Sequence, residues 1–171
     1  FEGTFLEYLA LVEDNPGIAT TSHKRLYKAI CRHGIRKIDE SNPRYKNIFQ
    51  EETVPIYDFF SSEFFGNEKV ISKIMSFLKS AAHKGEESRQ VLLLMGPVGA
   101  GKSAMVEHIK SALEGETYYH LKNDPQCGEP LHLLPRSLRG DFEEILGTKI
   151  QGDISPVARH NLFENYKGKY E

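Results

Sequence analysis

The chain has 171 residues, of which 39% are apolar and 27% charged, with a formal net charge of −2. That size and mix suit a folded domain with a real core, and the near-neutral balance leaves no broad electrostatic footprint for nucleic acid. No apolar run is long enough to cross a bilayer as a helix, and Cys31 and Cys127 lie too far apart in sequence to suggest a disulfide framework, so neither nucleic acid nor membrane is an expected partner and a reducing cytoplasm is the expected setting.

The first third reads as helical. Thr4-x-x-Glu7 is a capping box, in which hydroxyl and carboxylate satisfy free N–H groups at a helix start. Phe5, Tyr8, Leu9 and Val12 follow at helical spacing, and Asp14-Asn15-Pro16-Gly17 breaks the pattern. A second helix is predicted from Thr21 or Ser22 to about His33, with Leu26, Tyr27 and Ile30 inward and Gly34 as its stop. The basic clusters His23-Lys24-Arg25 and Arg32 to Lys37 read as solvated helix faces. From Ile38 to Val54 the chain is polar and reads as a long connection, with a turn at Asn42-Pro43.

An aromatic segment runs from Ile56 to Gly66. Most of its rings read as core, and the stretch from Phe64 to Glu68 is the candidate lining of an adenine pocket. A helix is predicted from about Asn67 to His83, with Val70, Ile71, Ile74, Leu78 and Ala81 inward.

Val91-Leu92-Leu93-Leu94-Met95 reads as a buried strand, and it leads into Gly96-Pro97-Val98-Gly99-Ala100-Gly101-Lys102-Ser103. These eight residues match G-x-x-x-x-G-K-[ST], the phosphate-binding P-loop. A helical pattern follows, with Met105, Val106, Ile109, Ala112 and Leu113 on one face. Strand, glycine loop and helix is the context that the motif requires. Gly99 and Gly101 permit positive φ and a close backbone approach. The N–H groups from Val98 to Ala104 form the expected anion nest, helped by the helix N-terminus. Lys102 is assigned to the β- and γ-phosphates and Ser103 to Mg²⁺. The expected ligands are therefore ATP and Mg²⁺.

Beyond the loop helix, Gly115 marks a stop and Thr117-Tyr118-Tyr119-His120-Leu121 reads as a strand before Asn123-Asp124-Pro125. This alternation predicts an α/β fold, a doubly wound P-loop core behind an N-terminal helical region. Gly128 to Pro135 reads as a loop anchored by Leu131, Leu133 and Leu134. His120, Cys127 and His132 match no zinc spacing.

A P-loop enzyme also needs a carboxylate at the end of a second apolar strand. Asp141, Glu143, Glu144 and Asp153 follow no such strand, so the catalytic carboxylate is unassigned. Arg136, Arg139 and Arg159 read as surface charges, and no H-R-D or D-F-G element of common protein kinases is present.

Taken together, the chain resembles the N-terminal AAA-type domain of the bacterial PrkA family, usually called serine protein kinases. The resemblance is carried by Phe1-Glu2-Gly3-Thr4-Phe5 with Glu7-Tyr8-Leu9, by Asn15-Pro16, and by Ser22-His23-Lys24-Arg25-Leu26-Tyr27. It continues through Phe64-Phe65-Gly66, the P-loop, Glu129-Pro130-Leu131-His132-Leu133-Leu134-Pro135 and Ser155-Pro156-Val157-Ala158-Arg159. It implies a cytoplasmic bacterial protein with an ATPase-like front module, phosphorylation of serine or threonine on a protein substrate, and a possible homo-oligomer. A start at Phe1 and a polar finish at Glu171 read as a piece of a longer protein. The expected division is a helical region over residues 1–55 and the first part of the nucleotide-binding domain over residues 56–171. Rival expectations are an AAA ATPase that couples hydrolysis to conformational work, and a nucleotide-gated switch without turnover.

Overall fold

The computed structural model describes residues 2–37, 54–147 and 149–168. The expected connection over 38–53, with its turn at Asn42-Pro43, lies outside them. The chain forms two compact units: Phe1–Thr20 together with Thr117–Glu171, and Thr21–Glu116.

The first unit begins with helix α1, Phe5–Asp14. Its capping box forms as expected: the Glu7 N–H donates to Thr4 Oγ1 at 3.3 Å, and the Thr4 N–H donates to Glu7 Oε2 at 2.7 Å. Tyr8 and Val12 are buried against Leu131 and Leu134, with Phe5 and Leu9 at the margin. A 3₁₀ turn over Pro130–Leu133 carries Leu131, and Leu134 follows it, so two of the three expected leucine anchors of this stretch are buried in the core while Leu133 is half-buried.

Two further helices of this unit, absent from the sequence reading, are Arg139–Leu146 and Pro156–Glu164. In chain order they are α5 and α6. Both carry end signals: Gly147 in the left-handed region closes α5, while Ser155 caps α6 through the Ala158 N–H, with Pro156 in the first turn. Thr117–Leu121, predicted as a strand, forms no ladder among the described residues, and Tyr118 is half exposed. The Leu121 N–H donates instead to Gly128 O at 3.0 Å.

Helix α2 in the second unit spans Ser22–Cys31, two residues shorter than predicted, capped by Thr21. After it, Ile35–Lys37 forms strand β1, antiparallel to β2, Pro55–Tyr57, with Ile35 opposite Tyr57 and Lys37 opposite Pro55. The basic cluster at Arg32–Lys37 is therefore a turn and an exposed strand, not a helix face. Arg36 there pairs with Asp58. A 3₁₀ turn, Asp58–Phe60, leads toward α3, Glu68–Ala82. Ile71, Ile74, Met75, Leu78 and Ala81 are buried on α3, whereas Val70 is half exposed. The core closes on α4, Lys102–Ser111, through Met105. Ile109 and Ala112 pack at the margin, while Val106 and Leu113 are more exposed than the helical pattern predicts.

Candidate functional site

The site is built in the second unit, where the chain enters α4. Gly99 and Gly101 adopt φ of 82° and 75°, the left-handed region that carries a penalty for residues with a Cβ. A Cβ at either position would meet nothing within 4 Å, so the requirement is conformational rather than one of space. Gly101 is the N-cap of α4, and Met105 N–H closes the first helical turn onto Gly101 O at 2.9 Å. The N–H groups of the residues between are the free donors of a helix start, and the helix dipole adds its positive end there.

Lys102 turns back over the loop. Its Nζ donates to Gly96 O at 2.8 Å and to Pro97 O at 2.6 Å. The ammonium is thus held by two carbonyls at the start of the glycine turn. Ser103 and Ala104 are exposed at the first turn, and Val98 at the tip is fully exposed. All nine predicted loop residues, Gly96 to Ala104, therefore belong to one turn-to-helix junction.

The expected buried strand before the loop is not present. Residues 91–95 form no ladder, because the two strands among the described residues pair only with each other. Val91, Leu93 and Met95 are 90%, 73% and 84% exposed, while Leu94 packs on the core. The alternation is that of a strand, but without neighbours one of its faces meets solvent.

The aromatic segment sits beside α4. Phe60 is buried, Phe59 and Phe64 pack on the same core, and Phe65 is 78% exposed. Most of the segment is core, as its composition implies. Phe64, Phe65 and Glu68 do line a pocket with Tyr57, but its space of about 20 Å³ has room for one water rather than a purine. Glu68 accepts the Gly66 N–H through Oε1 at 3.2 Å, and its Oε2 is buried with no hydrogen-bond partner among the described residues.

Residues set aside in the sequence reading resolve into structural roles. Arg139 is not a surface charge: it is 7% exposed and donates to the carbonyls of Leu134 at 3.0 Å, Ile150 at 3.2 Å, Gly152 at 3.0 Å and His132 at 3.2 Å. Arg159 pairs with Asp153 at 3.0 Å, and Arg136 approaches the same carboxylate at 3.9 Å. His120 and His132 each face a backbone carbonyl, of Leu121 and Gln151. No group of three His, Cys, Asp or Glu side chains among the described residues is placed to hold a metal. Burial pushes the Cys31 thiol up from its ordinary range, which disfavours the thiolate that a nucleophile requires.

Comparison with known proteins places the chain in a family. The PrkA AAA domain matches residues 3–171. The chain is 35% identical over 178 residues to the ATP-dependent protease PrkA of Bacillus subtilis, an alignment covering all of this chain and 26% of that protein. It is 34% identical over 113 residues to the serine/threonine kinase YeaG of Escherichia coli K12, covering 66% of this chain and 17% of the relative. The chain thus spans about a quarter or less of the curated relatives it matches. No solved structure matches it significantly.

Proposed function

Because the chain belongs to the PrkA AAA domain family, we propose that it is the ATP·Mg-binding module of a PrkA-like serine/threonine protein kinase. The observation that supports this best is the junction at Gly96–Ser103: two glycines at positive φ, a helix start, and an ammonium held by Gly96 and Pro97 carbonyls. The donor set suits a polyphosphate, since backbone N–H groups, a helix N-terminus and a lysine lie within eight consecutive residues. In this reading Lys102 exchanges its loop carbonyls for β- and γ-phosphate oxygens. Gly96, Pro97, Val98, Gly99, Ala100, Gly101 and Ala104 shape the nest, and the Ser103 hydroxyl is the magnesium ligand. Magnesium there offsets phosphate charge.

The finer fold reading is a doubly wound P-loop core, with residues 56–171 as its first part and residues 1–55 as a helical region before it. Val91–Met95 would be its loop-bearing strand, since its exposures already alternate as a strand's do. A cytoplasmic setting, a protein substrate and a homo-oligomer complete the proposal. No helix among the described residues is long and apolar enough to cross a membrane.

The name of the Bacillus subtilis relative favours a second reading. An ATP-dependent protease uses ATP for mechanical work on a polypeptide, which is the AAA ATPase alternative. One experiment separates the two and the switch reading: incubate the protein with γ-labelled ATP and magnesium and follow the label. Label on protein serine or threonine supports the kinase, and free phosphate with no protein label supports the ATPase. Bound ATP that stays intact, with label neither on protein nor in free phosphate, supports the switch. Lys102→Ala should abolish ATP binding in a folded protein, and unchanged affinity would overturn the nucleotide-binding reading itself.

A further inference from the structure

Glu68 opens α3 and is 8% exposed. Its Oε1 accepts the Gly66 N–H at 3.2 Å, while its Oε2 is buried and has no hydrogen-bond partner among the described residues. A buried acceptor left unpaired is costly, so this oxygen points to a donor supplied from outside the described chain. The cavity that Glu68 lines has a matching size: about 20 Å³, enough for one heavy atom with its hydrogens. Its other walls are mainly aromatic, from Tyr57, Phe60, Phe64 and Phe65. The Ser61 hydroxyl also lines it, but already donates to Tyr57 O at 3.4 Å. A buried water asks for two to four polar partners, which such walls do not supply. An ammonium head suits them better, because aromatic rings attract a cation through their quadrupole while the carboxylate accepts one of its N–H groups.

We propose that this cavity is a binding site for a primary alkylammonium group, with Glu68 Oε2 as its acceptor and Phe65 beside the emerging alkyl chain. Phe65 is 78% exposed, so the cavity reaches the surface at that ring. The lysine side chain of a polypeptide and a free polyamine both carry such a head. A quaternary ammonium, with its added methyl groups, is too large for the space. None of these residues belongs to the Gly96–Ala104 junction, so the assignment stands apart from the nucleotide-binding reading.

The test is an NMR titration of the isotope-labelled protein at constant pH and ionic strength. The probes are n-butylammonium, a short alkyl diamine and N-acetyl-lysine methylamide, with tetramethylammonium and neutral n-butanol as controls. The three primary amines should give saturable shifts centred on the Gly66 and Glu68 amides, and the controls none. Glu68→Gln keeps an acceptor for the Gly66 N–H and removes the charge, so butylammonium affinity should fall roughly tenfold or more. Phe65→Ala, at an exposed position, should weaken it roughly two- to fivefold. Tighter binding of the lysine derivative assigns the site to a polypeptide, and tighter binding of the diamine assigns it to a polyamine. Absence of a saturable shift in the wild-type protein would overturn the proposal. So would unchanged affinity in Glu68→Gln, or binding of n-butanol or tetramethylammonium as tight as that of butylammonium. If Glu68→Gln does not fold, Phe65→Ala and the two controls still decide.

Discussion

At Gly101 and Asp124 one side chain, or its lack, decides the local geometry. Gly101 holds φ of 75° as the N-cap of α4. Nothing crowds its missing Cβ, so Gly101→Ala should cost only the left-handed penalty, about 1–2 kcal/mol, read by urea denaturation. ATP affinity should fall with it, because the chain would relax the turn that aims the N–H groups. Asp124 organises the first unit in a different way. Its Oδ1 accepts the Ser155 hydroxyl at 2.8 Å and the Gln126 N–H at 3.2 Å, and its Oδ2 accepts the Gly128 N–H at 2.9 Å. Burial pushes this carboxyl up, but the Ser155, Gln126 and Gly128 donors outweigh it and hold it below the usual carboxylate range. A depressed carboxylate stabilises the fold above its unfolded value, near 3.9, and that stability drains away as pH falls through the folded value. Melting curves between pH 7 and pH 2.5 should therefore show a steeper acid loss for the wild-type protein than for Asp124→Asn.

Between elements, the first unit is tied together by Arg139. It stands at the start of α5 and reaches carbonyls at residues 132, 134, 150 and 152, so one guanidinium joins α5 to the 3₁₀ turn before it and to the chain after it. With all four bonds directed to backbone, it is not available to another subunit's phosphate. Arg139→Met keeps the volume and removes the donors, leaving buried carbonyls unpaired. The expected loss is roughly 2–4 kcal/mol, and a change under half a kcal/mol in urea denaturation would contradict the role. Sequence patterns could not reveal this, because an arginine's partners here are main-chain oxygens, which carry no residue identity. The same limit hid β1, three exposed residues whose pairing with β2 comes from residues about twenty positions away. By contrast α1, α2, α3 and α4 were legible to within a few residues, since Thr4, Thr21, Asn67 and Gly101 mark their starts and apolar spacing marks their inner faces. α5 and α6 were missed despite a closing Gly147 and an opening Ser155-Pro156, because they are short, at 8 and 9 residues, and each buries one side chain, Arg139 and Leu162.

For the molecule as a whole, the exposed run Val91–Met95 is the feature with most consequence. Its outer residues, Val91, Leu93 and Met95, present apolar surface with no strand beside them among the described residues. Such an edge invites pairing with another chain. Sedimentation velocity should show association that rises with protein concentration, and Leu93→Lys should reduce it without lowering the melting temperature, since the side chain is 73% exposed.

The sequence by itself determined the turn-to-helix junction at Gly96–Ser103. Glycines that permit positive φ, a lysine, a serine and a helix start act through backbone geometry within eight consecutive residues, and local chemistry is enough to specify them. It also determined the helices whose caps and periodicity lie within one segment. Only the tertiary structure decided what those segments meet: that Leu131 and Leu134 pack on Tyr8 and Val12 of α1, that Arg139 is buried, that His108 is set between three phenylalanines and Glu63, and that Val91–Met95 lies without a ladder among the described residues. Each of these depends on partners distant in sequence, and burial and pairing are properties of the folded surroundings rather than of the residue that experiences them.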